Sequence, residues 1–162
     1  MNEEDKEILK AIDDYSKAIE LKPNDANAYF NRGHQYYLLG EYEKAIDDFN
    51  KAIELNPNFA KAYYNRGGAY YFLGEYEKAL DDYSKEIELD PNDSDTYNNR
   101  GNTYKNLGQY EKAIDDYNKA IELDPNYANA YNNRGGAYSQ LEEYEKAIDD
   151  YNKAIELVLN YT

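Results

Sequence analysis

The chain has 162 residues, no cysteine and one histidine, His34, so disulfides, thiolate metal sites and multi-histidine metal centres are excluded. Its 18 basic against 33 acidic residues leave a net charge of −15, which disfavours nucleic acid and anionic membranes as partners. No apolar run approaches the roughly 18 residues of a membrane span, and MNEEDKEILK lacks a basic-then-apolar leader pattern, so a cytoplasmic location is expected.

The first predicted element is a lone helix over about residues 3–21, without a preceding partner. Beyond it the chain is periodic. Ala11, Ala45, Ala79, Ala113 and Ala147 each open a version of AIDDYNKAIEL, and Pro23, Pro57, Pro91 and Pro125 keep the same 34-residue step. Segments 45–78 and 113–146 agree at 26 of 34 positions. A fixed period of this length marks a stacked array whose units cannot bury a core alone. The expected organisation is one repeat domain over 1–162, with repeats at 26–59, 60–93, 94–127 and 128–161.

Within the second repeat, Ala62, Tyr63, Ala69, Tyr70 and Leu73 recur at helical spacing, predicting a helix over 60–73 that Gly74 stops. A second helix is predicted from about Glu75 to Leu89, with Ala79, Leu80, Tyr83 and Ile87 buried and Pro91 ending it. Gly67 sits mid-helix at a cost of about 1 kcal/mol relative to Ala. Close approach between helices is the expected benefit, and Gly33, Gly101 and Gly135 share its place.

Tyr63, Gly67, Tyr70, Ala79, Tyr83 and Pro91, with their counterparts in the other units, resemble the tetratricopeptide repeat over nearly the whole chain. The resemblance implies an all-α fold, an α-α superhelix of stacked antiparallel helix pairs. The first helix of each pair would line a concave groove and the second would lie outside.

Seventeen of the 25 aromatic residues recur in every unit as framework. Phe30, Tyr37, Tyr64, Tyr71 and Phe72 do not. On a helix of 3.6 residues per turn they fall off the stripe that faces the partner helix. They are expected in the groove, where they would anchor apolar side chains or pack on one another. Later units hold Asn98, Lys105, Asn106, Asn132, Ser139 and Gln140 instead. The groove is thus expected to be aromatic near its N-terminal end and amide-lined near the other.

Asn31, Asn65, Asn99 and Asn133 form a ladder, either for pairing with a bound peptide's main chain or for bonding to a neighbouring helix. His34 and Lys61 complete the expected peptide-binding set. The recurring Arg32, Arg66, Arg100 and Arg134 read as ion-pairing partners between helices. Lys44 with Asp48, and Asp47 with Lys51, are expected to pair at i,i+4 spacing. Pairs such as Asp47–Asp48 read as solvated surface. Inner-face charge is expected to be slight, Lys61 and Lys105 against Asp95.

Some members of the family clamp acidic chaperone tails with Lys, Asn and Arg. Here Asn65 matches one of those places, whereas Phe30, His34, Asp95 and Asn99 occupy the others. Moving the frame back one unit lets Asn31 and Lys61 match but loses the Arg and the first groove helix. The clamp is incomplete. No nucleophile–base set, phosphate loop or calcium loop is present, so no catalysis, cofactor or metal is expected.

Two irregularities stand out. Glu86 takes an alanine position, and Glu142 replaces the stopping glycine of Gly40, Gly74 and Gly108. The chain closes AIELVLNYT without a polar cap, so Val158, Leu159 and Tyr161 are expected to be exposed and prone to self-association. The main functional expectation is a non-catalytic module binding a protein or peptide in its groove. Alternatives are an array that self-associates through its terminal helices, as a homo-oligomer, and an engineered or consensus-like array without a natural ligand.

Overall fold

The computed structural model describes residues 1–160, and Tyr161 lies outside that range. Among the described residues there are nine helices and no strand: α1 (Glu3–Leu21), α2 (Ala26–Leu38), α3 (Tyr42–Leu55), α4 (Ala60–Phe72), α5 (Tyr76–Leu89), α6 (Ser94–Asn106), α7 (Tyr110–Leu123), α8 (Ala128–Gln140) and α9 (Tyr144–Asn160). No helix among the described residues is long and apolar enough to cross a membrane. The fold is an all-α solenoid of stacked helix pairs. It divides into two compact units, one from Met1 to Leu89 and one from Asp90 onward.

In the first unit α2 pairs with α3 and α4 with α5, while α1 covers α2 and α3 abuts α4. In the second unit α6 pairs with α7, α8 pairs with α9, and α7 joins the two pairs. The inner helices α2 and α4 touch in the first unit, as do α6 and α8 in the second.

Small residues let each pair close. A Cβ on Gly33 would lie 2.9 Å from Phe49 Cε1, and one on Gly101 would lie 2.7 Å from Tyr117 Cε1. Phe49 and Tyr117 are fully buried, each contributing about 1.5–3 kcal/mol of hydrophobic stabilisation. Ala45, Ala52, Ala79, Ala113 and Ala120 line the same contacts and are buried.

The turns inside each pair use a left-handed residue. Gly40, Gly74 and Gly108 have φ of 75°, 76° and 73°, and Glu142 adopts φ 60° at the equivalent place. The substitution leaves the turn's hydrogen bonds intact. Glu142 N–H donates to Ser139 O at 3.1 Å and Glu143 N–H to Tyr138 O at 2.9 Å, matching Gly40 to Tyr37 and Glu41 to Tyr36. The strain is carried by Glu142 itself. Helix starts are capped by side chains where the sequence supplies them: Asn2 with Asp5 in a reciprocal box, and Asp25 and Asp93 accepting from the first turn. Helix α9 runs on to Asn160 because Val158 and Leu159 replace the Asp-Pro or Asn-Pro that ends the earlier second helices.

Two expectations about charge are corrected. Asp48 is not solvated surface: Asp48, Asp82, Asp116 and Asp150 are 4–5 % exposed. Each sits 16 residues after the arginine that holds it in a two-pronged fork. Arg32 Nε and Nη2 donate to Asp48 at 2.8 and 2.7 Å, and Arg66, Arg100 and Arg134 repeat the arrangement. With Asp48 so engaged, Lys44 pairs with Glu41; Lys51 pairs with Glu54 at 3.0 Å and not with Asp47, both pairs at i,i+3 spacing. These exposed pairs add little stability. Glu86, at its alanine position, is also buried, being 3 % exposed.

Candidate functional site

On the first unit's inner helices the irregular aromatic residues come together. Phe30 packs on Phe59 (4.8 Å between centroids) and Phe49 (5.9 Å), and His34 lies stacked between Phe30 and Tyr37 at 6.4 Å from each. Tyr37 meets Phe72 of the next inner helix edge-on at 6.0 Å. Phe72 in turn stacks on Tyr42 at 5.2 Å and touches Tyr71, which packs on Tyr76. Tyr64 leans on buried Tyr83. The rings therefore pack on one another across adjacent repeats while remaining partly open to solvent, and Phe72 is 57 % exposed. Phe72 stands toward the turn end of its hairpin, over the start of α3.

Two features of this surface were not legible as residue letters. Tyr37 rests on the neighbouring helix at Gly68, where a Cβ would lie 3.0 Å from the phenol oxygen. Burial, reinforced by Tyr42 and Tyr64, pushes the Tyr37 phenol up to about 12. His34 Nδ1 is buried and has no hydrogen-bond partner among the described residues.

The asparagine ladder is partly committed to the protein. Asn65 Nδ2 donates back to the Lys61 carbonyl at 3.0 Å, and Asn133 Nδ2 donates to Asn98 Oδ1 at 3.1 Å. Each retains a second N–H and further acceptor capacity. Asn31 and Asn99 are half-buried on α2 and α6, and the Asn99 carbonyl accepts from Thr103 Oγ1 at 2.8 Å. The Lys61 side chain is exposed at the start of α4.

The second unit's inner helices are polar. Tyr117 O–H donates to Asn102 Oδ1 at 2.6 Å, and Tyr127 O–H donates to Asp95 Oδ1. Lys105 is half-buried, and burial holds its ammonium below the usual lysine range. It was not among the expected binding residues. Behind the inner face, burial pushes the Asp82 and Asp116 carboxyls up against the opposing pull of Arg66 and Arg100.

On the far side of the last pair, Ile155, Val158 and Leu159 are more than half exposed and line an open groove of about 470 Å³ with Ala128, Asn132 and Tyr151. Among the described residues, no group of three or more His, Cys, Asp or Glu is placed to hold a metal ion.

The tetratricopeptide repeat model matches residues 26–59, 60–93, 94–127 and 128–160, and a further model, TPR repeat, matches residues 6–40. No curated protein matches the chain. Solved structures do. The crystal structure of MamA is 29% identical, with a TM-score of 0.89 over 99% of this chain and 97% of that one. MamA from Desulfovibrio magneticus RS-1, residue 41 to the end, is 25% identical with a TM-score of 0.90 over 94% and 86%. YrrB, described as a TPR protein with an unusual peptide-binding site, is 30% identical with a TM-score of 0.81 over 94% and 78%.

Proposed function

The chain belongs to the tetratricopeptide repeat family, and on that premise we propose that it is a non-catalytic, cytoplasmic module holding an extended segment or helix of a protein partner on the inner face of its first helices. The observation that carries this reading is the ring surface of α2 and α4. Tyr37, Tyr71 and Phe72 are not framework residues, yet they form linked aromatic contacts that stay partly open to solvent, and half-buried Tyr64 packs on Tyr83 on the same pair of helices. Contiguous exposed apolar surface of this kind favours interaction. In this reading apolar side chains of the ligand rest on the rings, and Asn31 and Asn65, with His34 and Lys61 on the same helices, hold its backbone, while Asn99 and Asn133 are the corresponding amides of the second unit. The description of YrrB as a peptide-binding TPR protein supports the class of ligand.

The test is peptide display against the immobilised chain, followed by Tyr64→Asn with Phe72→Asn. Affinity for the selected peptides is expected to fall by about tenfold or more, as for loss of an aromatic anchor. Unchanged affinity with helicity intact refutes the aromatic surface as the site.

A second reading, self-association through the last pair, is favoured by the open apolar groove of Ile155, Val158 and Leu159. Val158→Lys with Leu159→Lys would abolish concentration-dependent light scattering. A wild-type chain that is monomeric at every concentration removes this reading.

A further inference from the structure

In unit two, the Lys105 ammonium on α6 and the Tyr151 hydroxyl on α9 converge on one bare patch of helix α8. A Cβ built on Gly136 would lie 3.9 Å from Lys105 Nζ and 3.9 Å from Tyr151 Oη. Neither donor has a hydrogen-bond or ion-pair partner among the described residues, and both belong to half-buried residues. No carboxylate offsets the desolvation of Lys105. That is unusual in a chain with 33 acids and 18 bases. Lys44, Lys51, Lys78, Lys85, Lys119, Lys146 and Lys153 each pair with a glutamate three residues away.

The same place in the first unit shows what it is built for. Residue 105 follows residue 37 by two periods, as Gly136 follows Gly68. Tyr37 lies against Gly68 closely enough that a Cβ there would meet its oxygen at 3.0 Å, so the aromatic version is closed by its own phenol. The lysine version leaves ordinary van der Waals room over the glycine. A partly desolvated cation without a counter-charge is costly, and a carboxylate delivered to it gains a charge-assisted hydrogen bond in a reduced dielectric.

We infer that Lys105, Gly136 and Tyr151 form a subsite for the side-chain carboxylate of an Asp or Glu in the bound polypeptide, one oxygen accepting from Lys105 Nζ and the other from Tyr151 Oη. This rests on the proposed role as a segment-binding module and specifies the chemistry of its ligand. The subsite uses none of the positions at which Asn65, Asp95 and Asn99 stand in the incomplete tail clamp, so the carboxylate is recognised in a different register. The net charge of −15 repels an anion only at long range, and at physiological salt it is screened beyond about 8 Å, whereas the contact at Lys105 is short and partly buried.

The test uses the full chain with isotopically methylated lysines and two uncharged-end probes, acetyl-Ala-Glu-Ala-amide and acetyl-Ala-Gln-Ala-amide, followed by NMR at physiological salt. The Lys105 resonance is expected to shift saturably with the Glu probe. The Gln probe should bind about tenfold more weakly, the loss expected for a hydrogen bond to a charged group. Lys105→Met removes the preference for Glu, and Tyr151→Phe reduces it by about threefold while circular dichroism stays helical. The inference is overturned if the two probes bind alike, if Lys105→Met leaves the preference intact, or if Lys105 does not respond to either. Its failure is separable from that of the groove reading. Displayed peptides selected through Tyr64 and Phe72 without any acidic preference overturn this subsite alone, whereas a Lys105 response without any selected peptide overturns the groove alone.

Discussion

Replacing Gly101 by alanine sets two effects of opposite sign against each other. In an exposed helix the change would stabilise by about 1 kcal/mol, because alanine loses less backbone entropy on folding. At position 101 the new Cβ would lie 2.7 Å from Tyr117 Cε1, 2.9 Å from Cδ1 and 3.1 Å from Cζ. The ring cannot step aside cheaply. It is fully buried, and its hydroxyl is bonded to Asn102 at 2.6 Å. Overpacking a closed core costs about 1–3 kcal/mol, and loosening the Tyr117 hydrogen bond about 1 more. The net expectation is destabilisation by about 2 kcal/mol. Gly136→Ala is the internal control, since its Cβ would find only ordinary contacts at 3.9 Å and should stabilise by up to about 1 kcal/mol. Urea unfolding followed by circular dichroism measures both, with m-values compared because repeat arrays need not unfold as a single step. If Gly101→Ala is as stable as the parent chain, close approach is not what the mid-helix glycine provides.

Glu142→Gly should raise stability by about 0.5–1 kcal/mol, as the left-handed φ of 60° ceases to strain a side-chain-bearing residue. A lowered urea midpoint would show that the glutamate side chain contributes more than its backbone costs. The raised phenol of Tyr37 makes stability pH-dependent. Below the ordinary tyrosine value of 10.0 that contribution is complete, and it is lost as pH climbs to about 12, because the folded chain resists ionisation that the unfolded chain accepts. Subtracting the phenolate absorbance titration of Tyr37→Phe from that of the parent should isolate a transition near the top of this range. A difference transition at the ordinary tyrosine value would refute the burial argument.

Periodicity revealed the helices because the same spacing recurs at each glycine, alanine and proline, and tertiary packing reinforces it at every repeat. The helix from Ala60 ends at Phe72 and the next starts at Tyr76, each within one residue of the sequence reading. Positions that depend on two helices at once were harder to read. Asp47 and Asp48 are indistinguishable as letters, both acidic and both repeated in every unit. Only the hairpin's geometry brings Asp48, and not Asp47, opposite Arg32. The i,i+4 rule describes an isolated helix, so it missed that Asp48 was already engaged and that Lys44 would turn to Glu41. The clustering of Phe30, His34 and Tyr37 followed from their position on the helix. The resting place of Tyr37 on Gly68, and the equivalent one of Lys105 near Gly136, required knowing which residue of the next helix lay beneath. Asn65 and Asn133 illustrate the same limit, since one donor of each turned to a neighbour the sequence does not mark.

The arginine forks bear on how such a chain can change its length. Each guanidinium binds an aspartate of its own hairpin, and Arg66 and Arg134 also reach Asn50 and Asn118, 16 residues earlier in the preceding hairpin. Excising or duplicating a whole period leaves each such three-point knot tied. Shifting the frame by any lesser number would strand a buried carboxylate and a guanidinium together. Growth and shrinkage by whole periods is therefore the mode of variation this architecture tolerates, and recombination between near-identical repeats supplies steps of that size.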